Sequence, residues 1–345
     1  MITIPKNTYN DLQKLTKDFT NYKGDLPILN TWQLQSRDGV LCATSTNLDI
    51  TVVINTNIPS NKRTFVVNKD IKPSSGKVIL ENAKLTLGNI SITPSFDEYE
   101  LSPLPNRKNN EEQEPITTLV DCKPLVAVID AVSTDEARPV LTHIHIIPER
   151  LEAANGYRLH IFSFPSGGET FIPLKIAKWL IKNKAEGITI YNKMITAAIK
   201  DYEYGCELYY KLEENMNYPN VNAVIPEFYP EHSFTFLPKD ITDVLIGYAP
   251  AKEDNGLIVI SFNENELMFS KDNTGIDNTN WCVSTIVSDC TITKSTGVNH
   301  KYLRSAMKIL DQCKDATFSQ RDFNALMLIT QDDITIVIMP MRIDL

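Results

Sequence analysis

No C-x-x-C pair occurs among the six cysteines, at 42, 122, 206, 282, 290 and 313, which excludes a disulfide scaffold and a zinc site and leaves free, mostly buried thiols as the expectation. No apolar stretch approaches the ~18 residues that a membrane-crossing helix needs. The longest runs, such as Ile334 to Met339, are strand-sized. The opening Met1-Ile2-Thr3-Ile4-Pro5-Lys6 lacks the basic start and apolar stretch of a signal peptide, so a cytoplasmic protein with no membrane partner is expected. Absent too are G-x-x-x-x-G-K-[ST], G-x-G-x-x-G, G-x-S-x-G and H-E-x-x-H, and with them the phosphate cradles, nucleophile elbows and zinc helices they mark. Gly167-Gly168 has no basic partner of the P-loop kind and reads as a turn. Acidic residues are plentiful, yet none forms a spaced pair suited to acid and base work. The chain makes no positive case for an enzyme and implies no cofactor.

What is present is a globular chain of 345 residues, 42% hydrophobic and 22% charged, a length that suggests two or three domains. Asn106–Pro115 is polar, charged and Pro-bounded and reads as a linker; Pro226–Ser233, with two prolines and two acids around aromatics, is a second. Cutting there gives three segments, 1–115, 116–230 and 231–345. Each begins with a helical pattern (Thr8–Asn21, Asp121–Val132 and Pro238–Gly247), the second with Asp121 placed to cap and Lys123-Pro124 in its first turn. An alternating strand pair follows in each, joined by turn-forming residues: Asp38-Gly39, Pro148-Glu149-Arg150 and Asn263-Glu264-Asn265. Leu41, Leu151 and Leu267 hold matching places. A repeat of this length means three similar domains rather than a solenoid, whose periods are ~20–50 residues. Strands outnumber helices, so the class is α+β.

The sharpest pattern is cationic. Within Ile172–Lys184, Lys175, Lys178 and Lys182 share one helical face, with Ile176, Ala177, Leu180 and Ile181 opposite. Lys301–Lys314 repeats this with Lys301, Arg304 and Lys308 against Leu303, Ala306, Met307 and Leu310, and Lys14 and Lys17 begin the same stripe in the first helix. Each stripe alone is an ordinary solvated helix face. Recurring in separate segments of a chain with 34 basic and 43 acidic residues and a net charge of −9, it points to one shared anionic partner, most simply a phosphate backbone read without base specificity. A rival of another class is a metal hydrolase. His143 and His145 are spaced for one strand face and His160 is a conceivable third ligand, against the plainer reading of an exposed strand.

Several stretches resemble one family, the β sliding clamp of bacterial DNA polymerase III. Ser133-Thr134-Asp135-Glu136-Ala137-Arg138, Leu141 and Ala153-Ala154-Asn155-Gly156-Tyr157-Arg158-Leu159 resemble its second domain. Leu26-Pro27-Ile28-Leu29, Ala43-Thr44 and Asn47-Leu48-Asp49-Ile50 resemble its first, and Met339-Pro340-Met341-Arg342-Ile343 its C-terminal signature, set two residues from the end. The resemblance implies three tandem clamp domains per chain in a homodimeric ring, helices lining the hole and antiparallel sheets outside, encircling double-stranded DNA and tethering polymerase. It would place Lys14, Lys17, Lys23, Lys175, Lys178, Lys182, Lys301, Arg304 and Lys308 toward DNA.

The family also captures short linear motifs of polymerase and clamp-loader subunits in a pocket between its second and third domains. Carried over by motif, the wall here comprises Arg138, Leu141, Ala154, Gly156, Tyr157, Arg158, Leu159, Pro219, Val224, Asn299, Tyr302, Met339, Pro340, Met341 and Arg342. Tyr99 and Leu101 lie in a stretch resembling the dimer-edge strand. Ala154 replaces the usual Thr and Ala223 a common basic residue, and Lys69–Gly76 is too short and Pro-broken for a full second helix in the first domain. A diverged clamp-like scaffold that binds proteins without encircling DNA is therefore the alternative.

Overall fold

A computed structural model of the protein describes residues 2–19, 29, 31–60, 64–68, 78–81, 84–87, 90–92, 114–202, 204–213, 216–247, 256–263, 266–270, 283–286, 292 and 295–343. Lys23, Tyr99, Leu101, Asn21, Cys282, Cys290, the Lys69–Gly76 stretch and Asp344-Leu345 lie outside them.

The chain opens with strand β1 (Ile2–Ile4) and helix α1 (Lys6–Thr16), the helix running on as a single 3-10 turn through Phe19. Strands β2 (Thr31–Arg37), β3 (Val40–Thr46), β4 (Ile50–Pro59), β5 (Thr64–Asn68), β6 (Val78–Glu81), β7 (Lys84–Leu87) and β8 (Ile90–Ile92) follow. Next come β9 (Thr117–Leu119), α2 (Lys123–Ile129), β10 (His143–Ile147), β11 (Arg150–Ala154), β12 (Arg158–Ser163) and β13 (Thr170–Pro173). Helix α3 (Leu174–Lys182) leads into β14 (Ala185–Tyr191), β15 (Met194–Ile199) and β16 (Tyr204–Tyr210). The last third holds β17 (Ser233–Phe236), α4 (Pro238–Gly247), β18 (Leu257–Asn263), β19 (Glu266–Ser270), β20 (Val283–Ile286) and β21 (Thr296–Asn299). It ends with α5 (His300–Ile309), β22 (Ala316–Ser319), β23 (Met327–Gln331) and β24 (Ile334–Ile338). One strand, a helix, four strands, a helix, three strands is the order from β9 to β16 and again from β17 to β24; β1 to β8 follows it except where residues 69–77 fall outside the described set. The fold is α+β.

Two units divide the chain: residues 1–122, 166–171 and 175–216, and residues 123–165, 172–174 and 217–345. Each is organised by an eight-stranded antiparallel sheet. The first runs β5-β2-β3-β4-β16-β15-β14-β9, the second β13-β10-β11-β12-β24-β23-β22-β17. The two orders are the same pattern, four strands of one sequence segment continued by four of the next. The weld lies between β4 and β16 (Val53 opposite Glu207) and between β12 and β24 (Leu159 opposite Val337). Two four-stranded sheets complete the molecule, β1-β6-β7-β8 and β20-β19-β18-β21.

Helices form where apolar residues recur at helical spacing, and they pack on the two large sheets, α1 against β3 and β4 and α2 against β10, β11 and β12. In α1, Tyr9, Leu12, Leu15 and Thr16 are buried, and the Thr16 hydroxyl donates to the Leu12 carbonyl 2.8 Å away as the helix gives way to the 3-10 turn. This helix therefore starts and ends earlier than the sequence pattern suggests. In the first unit Trp179 of α3 donates its indole N–H to the Leu15 carbonyl at 2.9 Å, and Tyr9 meets Trp32 edge-on at 5.0 Å. Burying each such side chain contributes about 1.5–3 kcal/mol. Helix α2 is also shorter than its pattern: after Ile129 the chain tightens, with Ala131 N–H donating to Val128 and Val132 N–H to Ile129. Helix α5 begins at the Asn299 cap, whose Oδ1 accepts the Lys301 N–H at 3.0 Å, and stops at Ile309, so Lys314 lies beyond it and pairs with Asp332. Leu41, Leu151 and Leu267 are all buried, on the equivalent strands β3, β11 and β19.

Candidate functional site

Three helices carry the cationic stripe outward. Lys14, Lys175, Lys178, Lys182, Lys301, Arg304 and Lys308 are exposed, as is Lys17 in the 3-10 turn, while Ile176, Ala177, Leu180, Leu303, Ala306, Met307 and Leu310 are buried. Ile181 is half-buried rather than fully turned inward. Some of the cations are already engaged. Lys182 pairs with Asp18 at 2.6 Å, and Lys14 donates to the Tyr202 hydroxyl at 3.0 Å. Among the described residues no carboxylate lies within ion-pair distance of Lys178, Lys301, Arg304 or Lys308. Helices α2 and α4 present no such stripe: α2 exposes Lys123 and Val126, α4 exposes Lys239, Asp243 and Ile246.

A second region forms within the second unit, at the free end of the β12–β24 weld. Tyr157 N–H and Arg158 N–H both donate to Asn155 Oδ1, and Gly156 takes φ +90° to complete the turn between β11 and β12. A Cβ on Gly156 would stand 3.1 Å from Arg138 Nη1, so the turn and Arg138 are in close approach. Leu141, buried, accepts the Ser133 N–H and so anchors the segment that carries Arg138. The Met339 N–H donates to the Tyr157 carbonyl at 2.8 Å, extending the weld into the C-terminal motif. That motif is then held from the other side, Met341 N–H donating to the Gly297 carbonyl at 2.9 Å. Only glycine fits there: a Cβ would lie 2.5 Å from the Met341 oxygen and 2.9 Å from Leu257 Cδ1.

Met339, Pro340, Met341 and Arg342 line a cavity of about 950 Å³ together with Ile343, the Phe323–Leu326 loop, Arg321, Pro226 and Tyr229. Its chemistry is apolar and sulfur-rich, with two guanidinium groups among its lining residues. The other eleven residues expected in the pocket do not line this cavity. Strand alternation explains part of that separation. Leu159 is buried on the sheet face away from the helices, whereas Arg158, its neighbour, turns to the helix face, lies over the Tyr302 ring at 4.7 Å and donates to Ser305. Tyr157 stacks on Tyr302 at 6.4 Å, and Asn299 is occupied in capping α5.

Pro219 and Val224 belong to an irregular strap, residues 217–232, that crosses the face of the second sheet opposite its helices. Tyr218 accepts the Ala154 N–H at 2.8 Å, Tyr229 N–H donates to Ser319 Oγ, and Gln320 N–H donates to the His232 carbonyl. Pro226 and Tyr229 sit in the stretch that composition marks as a linker, which is why sequence reasoning missed them. Arg321 and Phe323 carried one local signal, the Asp322 side chain accepting the Asn324 N–H in an Asx turn.

The histidines correct two expectations. His145 is buried rather than on an exposed strand face, its Nδ1 2.9 Å from Glu152 Oε1. His160 turns to the opposite face, 3.1 Å from the Ala127 carbonyl, where burial first and the Arg158 charge second push it down to about 3, so its ring is neutral. The three histidines therefore do not converge, and no group of three or more metal-ligating side chains occurs among the described residues. No helix among them is long and apolar enough to cross a membrane.

Comparison with known proteins supplies the architecture's precedent. No family model matches the chain, and no curated protein does. Among solved structures it is similar to the DnaN sliding clamp (DNA polymerase III subunit beta) from Bartonella birtlesii bound to griselimycin, with TM-score 0.78, 18% identity and 99% of each chain covered. The DNA polymerase III subunit beta from Pseudomonas aeruginosa is similar at TM-score 0.78 and 17% identity, covering 99% of this chain and 100% of that one. The DNA polymerase sliding clamp from Bacillus subtilis matches at 0.78 and 18%, covering 99% and 98%. The chain has the sliding-clamp fold over essentially its whole length.

Proposed function

We propose that this chain is a DNA sliding clamp: three domains, 1–115, 116–230 and 231–345, forming with a second copy a ring that encircles double-stranded DNA and tethers the replicative polymerase. The observation that carries the reading is sheet order. In both eight-stranded sheets the weld joins the last strand of one segment's trio to the third of another's four, β16 to β4 and β24 to β12. Their counterparts in the two short sheets, β8 and β20, are edge strands among the described residues. Pairing β8 of one copy with β20 of the other rebuilds the same eight-stranded order, head to tail, and doing so twice closes a ring of two. Tyr99 and Leu101 follow β8 in sequence and are the interface residues of this reading.

Inside the ring, Lys14, Lys17, Lys23, Lys175, Lys178, Lys182, Lys301, Arg304 and Lys308 meet phosphates. Exposed, flexible ammonium groups suit sliding, because weak and diffuse contacts leave no single strong bond to break at each step. The protein does no chemistry; topology provides processivity. Polymerase and clamp-loader subunits dock through short linear motifs between the strap and the C-terminal motif, over Leu159 and against Met339 and Met341, with Arg138, Arg321 and Arg342 available to acidic or backbone groups.

Small-angle X-ray scattering on size-fractionated protein tests the ring. Twice 39.0 kDa with the scattering of an open-centred particle is the expected result. A compact monomer, or a dimer with no hole, overturns encirclement and leaves a peptide-binding scaffold. The double variant Lys178→Glu, Arg304→Glu should lose retention on DNA while its thermal unfolding is unchanged; retention at the native level would sink the role of the basic helices.

A further inference from the structure

Beneath the strap lies a cluster that neither DNA contact nor the peptide wall uses. Glu152 of β11 is 2% exposed, and both its carboxylate oxygens are engaged: Oε1 is 2.9 Å from His145 Nδ1, and Oε2 accepts from Arg150 Nε at 2.8 Å. Each contact leads on to the strap. The His145 ring stacks on Tyr218 with centroids 4.5 Å apart and planes 27° from parallel. Arg150 Nη2 donates to Asn222 Oδ1 at 2.8 Å. Tyr218 precedes Pro219 and Asn222 stands two residues before Val224, so both ends of the segment bearing those two residues rest on one carboxylate. Between them Val221 is buried, and Asn222 N–H donates back to Asn220 Oδ1 at 3.2 Å. The strap has no regular ladder to fix it, so a side-chain latch has to hold its height above the sheet.

We propose that Glu152 is the positioning residue of the peptide groove, holding the Pro219–Val224 wall in place through the His145–Tyr218 and Arg150–Asn222 arms. This inference rests on the peptide-capture reading. Glu152 touches no peptide; it sets the groove's width. An unpaired carboxylate at such burial would be costly, and two charge-assisted contacts make it rigid instead.

The test measures binding of griselimycin, and of a labelled peptide with leucine and phenylalanine anchors, to the full chain. Glu152→Gln removes the charge that orients Arg150, and Asn222→Ala, at an exposed position, cuts the far end of the same arm. Each should weaken binding about tenfold, the loss expected for one charge-assisted hydrogen bond. The double variant should be no weaker than Glu152→Gln alone, because both act through Arg150. DNA retention should be native in all three. Wild-type binding matched by both single variants, or losses that simply add, overturns the positioning role. A wild-type chain that binds neither probe overturns the peptide-capture reading itself and this inference with it.

Discussion

Two glutamates, Glu207 and Glu152, lie on the helix-free faces of the two large sheets, and each is buried against an arginine. What differs is where their partners come from. Glu207 on β16 accepts from Arg37 on β2 at 2.7 Å, from Asn55 on β4 at 3.0 Å and from Tyr209 beside it. Those contacts reach across the β4–β16 weld, tying residues 170 positions apart. Glu152 instead draws on its own hairpin, and its contacts lead off the sheet to the strap. The weld it sits near is apolar, Leu159 against Val337. One device, a carboxylate clamped by arginine, joins two halves of a sheet in one unit and latches a loop in the other. Burial alone therefore does not say what a charged cluster is for; the destination of its hydrogen bonds does.

The contrast can be broken in three ways. The largest effect should come from Glu207→Ala, which leaves the half-buried Arg37 without its counter-charge and should cost about 3 kcal/mol of stability in chemical denaturation. A loss under about 1 kcal/mol would mean that the strands hold the weld without the ion pair. Acid gives the next effect. Burial would raise the Glu207 carboxyl, but the Tyr209 hydrogen bond and the Arg37 charge outweigh it and hold the group below the usual carboxylate value. A carboxyl depressed on folding stabilises above its unfolded value of about 4.3, and that stabilisation disappears as pH falls through the folded value. The melting-temperature margin of wild type over Glu207→Gln should thus be constant from neutral pH to about 5 and close at lower pH. A margin that persists in strong acid would contradict the pairing. The smallest effect belongs to the strap: Asn222→Ala should change global stability by less than about 0.5 kcal/mol, as expected for an exposed site. A substantial stability loss there would make the latch a structural weld like the other and erase the contrast.

Local chemistry was legible in the sequence. Asp38 (φ 51°), Gly39 (φ 81°) and Glu149 (φ 75°) sit where turn-forming residues mark hairpins, and the three cationic stripes follow from helical spacing. The internal repeat was also visible, through the shared places of Leu41, Leu151 and Leu267. What sequence could not carry was pairing across the welds. Nothing near Glu207 names Arg37 as its partner, because strand order, not proximity in the chain, brings them together. Motif matching likewise grouped Arg158 with Leu159, although a pleated strand sends neighbours to opposite faces. The Phe323–Leu326 loop became part of the cavity only through the return of the C-terminal segment past Gly297.

The edges β8 and β20 have a further consequence in the language of polymerisation. A chain with one head and one tail of different kinds always has equal numbers of each, so growth by head-to-tail addition never exhausts its own ends. However many copies add in the proposed arrangement, one β8 and one β20 stay open, both edge strands among the described residues and so ready for another strand. Closure alone removes both, and it depends on the angle turned per chain rather than on the strength of the junction. A substitution that altered that angle without weakening the strand pairing would turn the proposed ring into a filament.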